Sequence, residues 1–140
     1  MSRIFAANTD HLDSASISIA DVPCTFSAWI KFTAGGAFQL LTVGVPATNN
    51  NAIFLSTAFS TATAAQVGEF DTTVATAATS QGRSLGDTSI WHVFTATFTS
   101  HSSRSVFFDG TSKATAANVK TASGFSALRI SGDLNTTPLV

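Results

Sequence analysis

Apolar and polar residues alternate with a period of two along much of this chain, the pattern of strands that bury one face. In residues 25–33, TFSAWIKFT, the side chains of Phe26, Ala28, Ile30 and Phe32 share one face, and Ser27, Trp29 and Lys31 take the other. Ala34-Gly35-Gly36 ends that strand, since paired glycines favour a turn. Residues 37–44, AFQLLTVG, predict a second strand that stops at Gly44 and Pro46. A loop at Thr48-Asn49-Asn50-Asn51 leads to a third, residues 52–59, with Ile53, Leu55 and Phe59 in phase. Residues 60–90 are Ala- and Thr-rich without an amphipathic stripe, so they predict one or two weak strands and a loop around Ser80-Gln81-Gly82. The longest alternation follows: His92, Phe94, Ala96 and Phe98 on one face, Trp91, Val93, Thr95 and Thr97 on the other. A polar turn at 100–103, a returning strand at 105–108 and a tight Asp109-Gly110 turn come next, and residues 127–132 form the last clear strand.

So many short strands predict a single all-β antiparallel sandwich or jelly roll. The 140 residues suffice for one core and show no repeat or linker, so residues 1–140 read as one domain with 133–140 as its C-terminal tail.

Composition sharpens this picture. Ala, Thr and Ser supply 61 residues, Phe 12, and the four charged types together only 15. Such a chain is too aromatic and too uncharged for disorder and too rich in Thr, Val and Phe for helices. A net charge of −1 with scattered basic residues predicts no nucleic-acid partner, and the lack of a long apolar run predicts no membrane span. The N-terminus lacks a signal-peptide pattern, and the single Cys24 excludes an internal disulfide, so folding in a reducing cytoplasm is expected.

At this point the sequence resembles a known family. PCTFSAWIKF (23–32), WHVFTATFT followed by SVFFDG (91–110), NTDHLDS (8–14) and LRISG (128–132) are similar, in order and spacing, to four strands of laminin G-like, concanavalin A-like jelly rolls. Three departures stand out: Val93 replaces a frequent His, Phe107 a usual Tyr, and the chain stops soon after Ser131-Gly132. The last departure predicts a sandwich shortened at its C-terminus, whose open edge invites a partner. Signal-less, Cys-poor chains of this kind resemble tailed-bacteriophage virion proteins. The resemblance therefore implies a non-enzymatic structural protein, a capsid decoration or tail-surface protein located on the virion. It would act through contacts with other virion proteins or with itself, for example as a trimer. The alternative is a lectin-like module that binds a cell-surface glycan.

A Glu-x-Asp-x-Glu strand would supply the carboxylates of a glucanase, but here Glu69 and Asp71 are followed by Thr73, and Glu69 is the one glutamate of the chain. His92, among apolar face-mates, reads as a satisfied core or edge histidine, and His101 as a solvated loop residue. No nucleophile constellation accompanies either, so no enzyme is predicted. His11 beside Asp10 and Asp13 lacks a recognised ligand spacing, so no metal site is predicted. Asn8, Asp10, Asp109 and Asn49 to Asn51 offer oxygen donors for calcium without forming a loop signature, so no cofactor is assigned. Cys24 reads as a small buried hydrophobe. Trp29 is a stacking platform for a sugar if solvent reaches it, but packing against the second sheet is the favoured reading. The candidate contact residues for a ligand or partner are Trp29, Asn49, Asn50, Asn51, His101, Pro138 and Leu139.

Overall fold

A computed structural model describes residues 12–19, 21–32, 39–45, 51–57, 65–71, 73–78, 90–110 and 112–131. Their strands are β1 (Leu12–Ser14), β2 (Cys24–Ile30), β3 (Gln39–Gly44), β4 (Ala52–Thr57), β5 (Ala65–Phe70), β6 (Val74–Ala78), β7 (His92–Ser100), β8 (Ser103–Phe108), β9 (Ser112–Ala116) and β10 (Ala127–Ile130). They form two antiparallel sheets, one of six strands in the order β1-β10-β3-β4-β5-β6 and one of four in the order β2-β7-β8-β9. The fold is an all-β jelly-roll sandwich.

Alternation explains the core. Phe26 of β2, Phe94, Ala96 and Phe98 of β7, and Val106 and Phe108 of β8 are buried from one sheet. Val43, Ile53, Leu55, Ala65 and Val67 meet them from the other. The rings interlock edge to face, Phe26 with Phe98 at 5.9 Å and Phe94 with Phe108 at 5.0 Å between centroids. Each such ring contributes roughly 1.5–3 kcal/mol by leaving water, so β2, β7 and β8 form a firm floor for whatever their outer face carries.

Three features differ from the sequence expectations. The Ala/Thr-rich stretch contains β5, one of the most thoroughly buried strands, where Ala65 to Glu69 are all inaccessible or nearly so. Its Gly68 lies under the Phe54 ring of β4, leaving only 2.1 Å for a Cβ. Small residues there mark close packing rather than a weak strand. Next, β9 (SKATA) was not anticipated, because its polar and small side chains give little periodic signal; its pairing with β8 fixes it. Finally, β10 is an inner strand, paired with β1 on one side and β3 on the other, so this late strand offers no free edge. Phe59, the loop around Ser80 to Gly82 and the 133–140 tail lie outside the described residues.

Candidate functional site: an aromatic and hydroxyl face

The outer face of the four-stranded sheet is built by the residues that alternate with the core. On β2 these are Thr25, Ser27 and Trp29; on β7 they are Val93, Thr95, Thr97 and Thr99, with Trp91 one residue ahead of the strand and in phase with them. On β8 they are Ser103, Ser105 and Phe107, and on β9 Thr115. Register sorts them into rungs. Trp29 lies opposite Val93, Ser27 opposite Thr95 and Thr25 opposite Thr97. Thr95 continues to Phe107 and Lys113, and Thr97 to Ser105 and Thr115.

One end of this face is aromatic. Trp29 is 69 % exposed and Trp91 50 %, and the register makes them diagonal neighbours, close enough for large side chains to act on one ligand. The expectation that Trp29 packs between the sheets is corrected here. Phe26 and Phe32 take the inward positions of that segment, and strand alternation then sends Trp29 outward. Trp91 escaped the sequence reading, although its phase with Thr95 and Thr97 was the signal that could have found it.

Beneath this end the framework is rigid. His92, buried and stacked on Phe108 at 4.9 Å, places Nδ1 2.9 Å from Asp109 Oδ2. Asp109 Oδ1 accepts the Val93 amide at 2.9 Å, and the Asp109 amide donates to the Val93 carbonyl at 2.8 Å. Asp109 takes a positive φ of 48° and Gly110 one of 70°, the turn expected there. His92 is thus a core histidine that holds the β7 entrance, where Trp91 sits.

A second polar group lies between the sheets. Glu69 of β5 and Arg104 of β8 are both fully buried and joined at 3.0 Å. The same Arg104 Nη2 donates to the carbonyls of His101 at 2.8 Å and Asn118 at 2.9 Å. His101 is not simply solvated: Nδ1 lies 2.7 Å from Glu69 Oε1 and Nε2 3.1 Å from Asp21 Oδ1. His101 thus ties the turn between β7 and β8 to β5 and to the segment before β2. Arg104 was missed, although its phase with Val106 and Phe108 placed a charge inward and demanded a partner. Asp71 is likewise occupied, by Lys120 Nζ at 3.1 Å and the Thr121 amide at 3.2 Å. Burial, then the nearby charges of Glu69 and Asp21, push the half-buried Cys24 thiol up to about 11.

The remaining candidates are dispersed. Asn51 adopts a positive φ of 62°, and its carbonyl accepts the Val45 amide at 3.1 Å; it closes the turn between β3 and β4, a backbone conformation asparagine tolerates well. Asn8, Asp10, His11, Asn49, Asn50, Pro138 and Leu139 lie outside the described residues. Asp13 pairs with Arg129 at 2.7 Å. Among the described residues no three His, Cys, Asp or Glu side chains converge as a metal site.

No family model matches the chain, and no curated protein does. Solved structures match its fold. Mouse laminin alpha1 chain domains LG4-5 superpose with a TM-score of 0.69 at 16 % identity, over 89 % of this chain and 32 % of theirs, so the chain spans about a third of that neighbour. The CBM40 of the Ruminococcus gnavus IT-sialidase bound to alpha2,6 sialyllactose gives 0.66 at 14 % identity, over 91 % of this chain and 84 % of that one. Bound to alpha2,3 sialyllactose, it gives 0.62 at 14 % identity over 90 % and 83 %. These likenesses establish the laminin G-like jelly-roll fold.

Proposed function

We propose that this chain is a non-catalytic carbohydrate-binding module that holds sugar rings against Trp29 and Trp91. The observation that carries the reading is the outward, water-exposed position of these two tryptophans on a rigid sheet. An indole plane offers a sugar's C–H face a large apolar contact at little cost in conformational entropy, and both gain by leaving water. The fold shared with a sialyllactose-bound carbohydrate-binding module supports it. The absence of catalysis is supported by Glu69, whose two oxygens are taken up by His101 and Arg104 in the interior.

Trp29→Ala and Trp91→Ala proteins should fold with melting temperatures near that of the parent, because these side chains stand outside the core. Each should lose glycan affinity about tenfold or more, equivalent to roughly 1.4 kcal/mol. Tryptophan fluorescence titration against a panel of soluble glycans checks this. A panel with no binder, or binding untouched by both substitutions, overturns the reading.

A place on a bacteriophage particle, with synthesis in the host cytoplasm, remains the setting that the composition and the sequence resemblance favour. A decoration protein that grips a host glycan would join both roles. The laminin and CBM40 neighbours add nothing to the particle setting, and the glycan test does not depend on it.

A further inference from the structure

We propose that the ligand is a neutral polysaccharide chain lying lengthwise along β7, over a ladder of hydroxyls that continues from the tryptophan end. This rests on the sugar-binding reading of Trp29 and Trp91 and adds to it the class and direction of the ligand. Below the aromatic rung the outward positions become hydroxyl-bearing on adjacent strands: Ser27 beside Thr95, then Thr25 beside Thr97, Ser105 and Thr115, then, past a register shift, Thr99 hydrogen-bonded to Ser103. Hydroxyls already meet across the strands, Ser27 Oγ to Thr95 Oγ1 at 3.0 Å and Thr99 Oγ1 to Ser103 Oγ at 3.0 Å. Outward positions recur about every 6.7 Å along a strand, and strands lie about 4.8 Å apart. The path from Trp91 to Thr99 is therefore about 27 Å, room for several sugar units in a row.

The chemistry selects the ligand. A serine or threonine hydroxyl both donates and accepts, as a sugar hydroxyl does, so the ladder matches a neutral polyol in either orientation. An acidic chain would require arginine or lysine along its course. Along β7 from Val93 to Thr99, and at its neighbours Ser27, Thr25 and Ser105, no side chain is charged; Lys31, exposed and in phase with Trp29, stands at the aromatic end, and the Asp109 carboxylate is engaged by His92 and Val93. The strand propensity of threonine alone accounts for any single position. It does not account for hydroxyls aligned on neighbouring strands beside two exposed indoles.

The experiment measures affinity for neutral β-glucan, mannan and chitin-derived oligosaccharides of one to six units, with oligogalacturonates as the acidic comparison. The parent is compared with a Thr95→Val/Thr97→Val protein, which keeps side-chain shape and strand propensity but removes two hydroxyls; its melting curve confirms folding. One neutral series should gain at least tenfold in affinity between one and about five units, and the double variant should lose most of that gain. Affinity independent of length, preference for the galacturonates, or an indifferent double variant overturns the inference. If short sugars still bind through Trp29, the carbohydrate-binding reading survives that failure. If no probe binds, both fall. If light scattering shows instead that Trp29→Ala dissociates an oligomer, the face belongs to a second copy, and both again fall.

Discussion

At the scale of single residues, environment outweighs residue type. Two tryptophans belong to alternating segments, yet both face solvent because phenylalanines hold the inward phase. Cys24, an inert filler by composition, sits where burial and then the charges of Glu69 and Asp21 raise its thiol pKa from 9.0 to about 11. Thiolate is the reactive form, so alkylation by iodoacetamide at pH 8 should run on the order of a hundredfold slower than for an unhindered cysteine of ordinary pKa. The rate should climb until about pH 11, and unfolding in urea should abolish the difference. The same shift gives a sign for stability. Below pH 9 the thiol is protonated in both states; between about 9 and 11 the unfolded chain releases its proton while the folded one keeps it. This group therefore costs stability as pH rises through that window. A denaturation midpoint that fails to fall there in the parent more than in Cys24→Ala would contradict it.

At the scale of elements, the sheets are fastened by more than hydrophobic contact. Glu69 and Arg104 span from β5 to β8, and His101 extends the link to Asp21. Arg104→Met should strand a buried carboxylate and cost about 3–5 kcal/mol, seen as a fall in thermal midpoint of roughly ten degrees or more. Adding Glu69→Gln should recover part of the loss, since partners in one network are not additive. A double variant whose midpoint falls by the sum of the two single falls would show that the pair contributes no coupling. Much of this architecture was legible in the sequence. β2, β7 and β8 announce themselves because one face of each is mostly apolar, and the Asp109-Gly110 turn needs its left-handed backbone. β5 and β9 do not: alanine, serine and threonine carry almost no periodic contrast, so only pairing with neighbouring strands defines them. The candidate site divides the same way. Trp29 was a visible candidate, but its exposure depends on which phase the core claims. The link from Arg104 to Glu69 joins residues 35 apart, a distance over which a sequence pattern gives no register.

At the scale of the whole molecule, the sandwich separates its tasks: the interior fastens the sheets, and one outer face is free to carry a ligand. The six-stranded sheet has a different logic. Its strand β10 lies between β1 and β3, and Arg129 grips Asp13 across 116 residues of chain. Contacts this distant are slow to form because loop closure comes before the reward. A chain ending at Ser126 should leave β1 without its partner and β3 paired to β4 alone, expose the Leu41 and Val43 strand edge, and be cleaved by a protease that spares the parent; a protease-resistant truncated chain would contradict this. The consequence reaches back to synthesis on the ribosome. β1 emerges well before β10 but has no partner until β10 has cleared the exit tunnel, so the larger sheet is closed late. A prematurely ended polypeptide would keep an open seam between β1 and β3, recognisable to chaperones and proteases as unfinished.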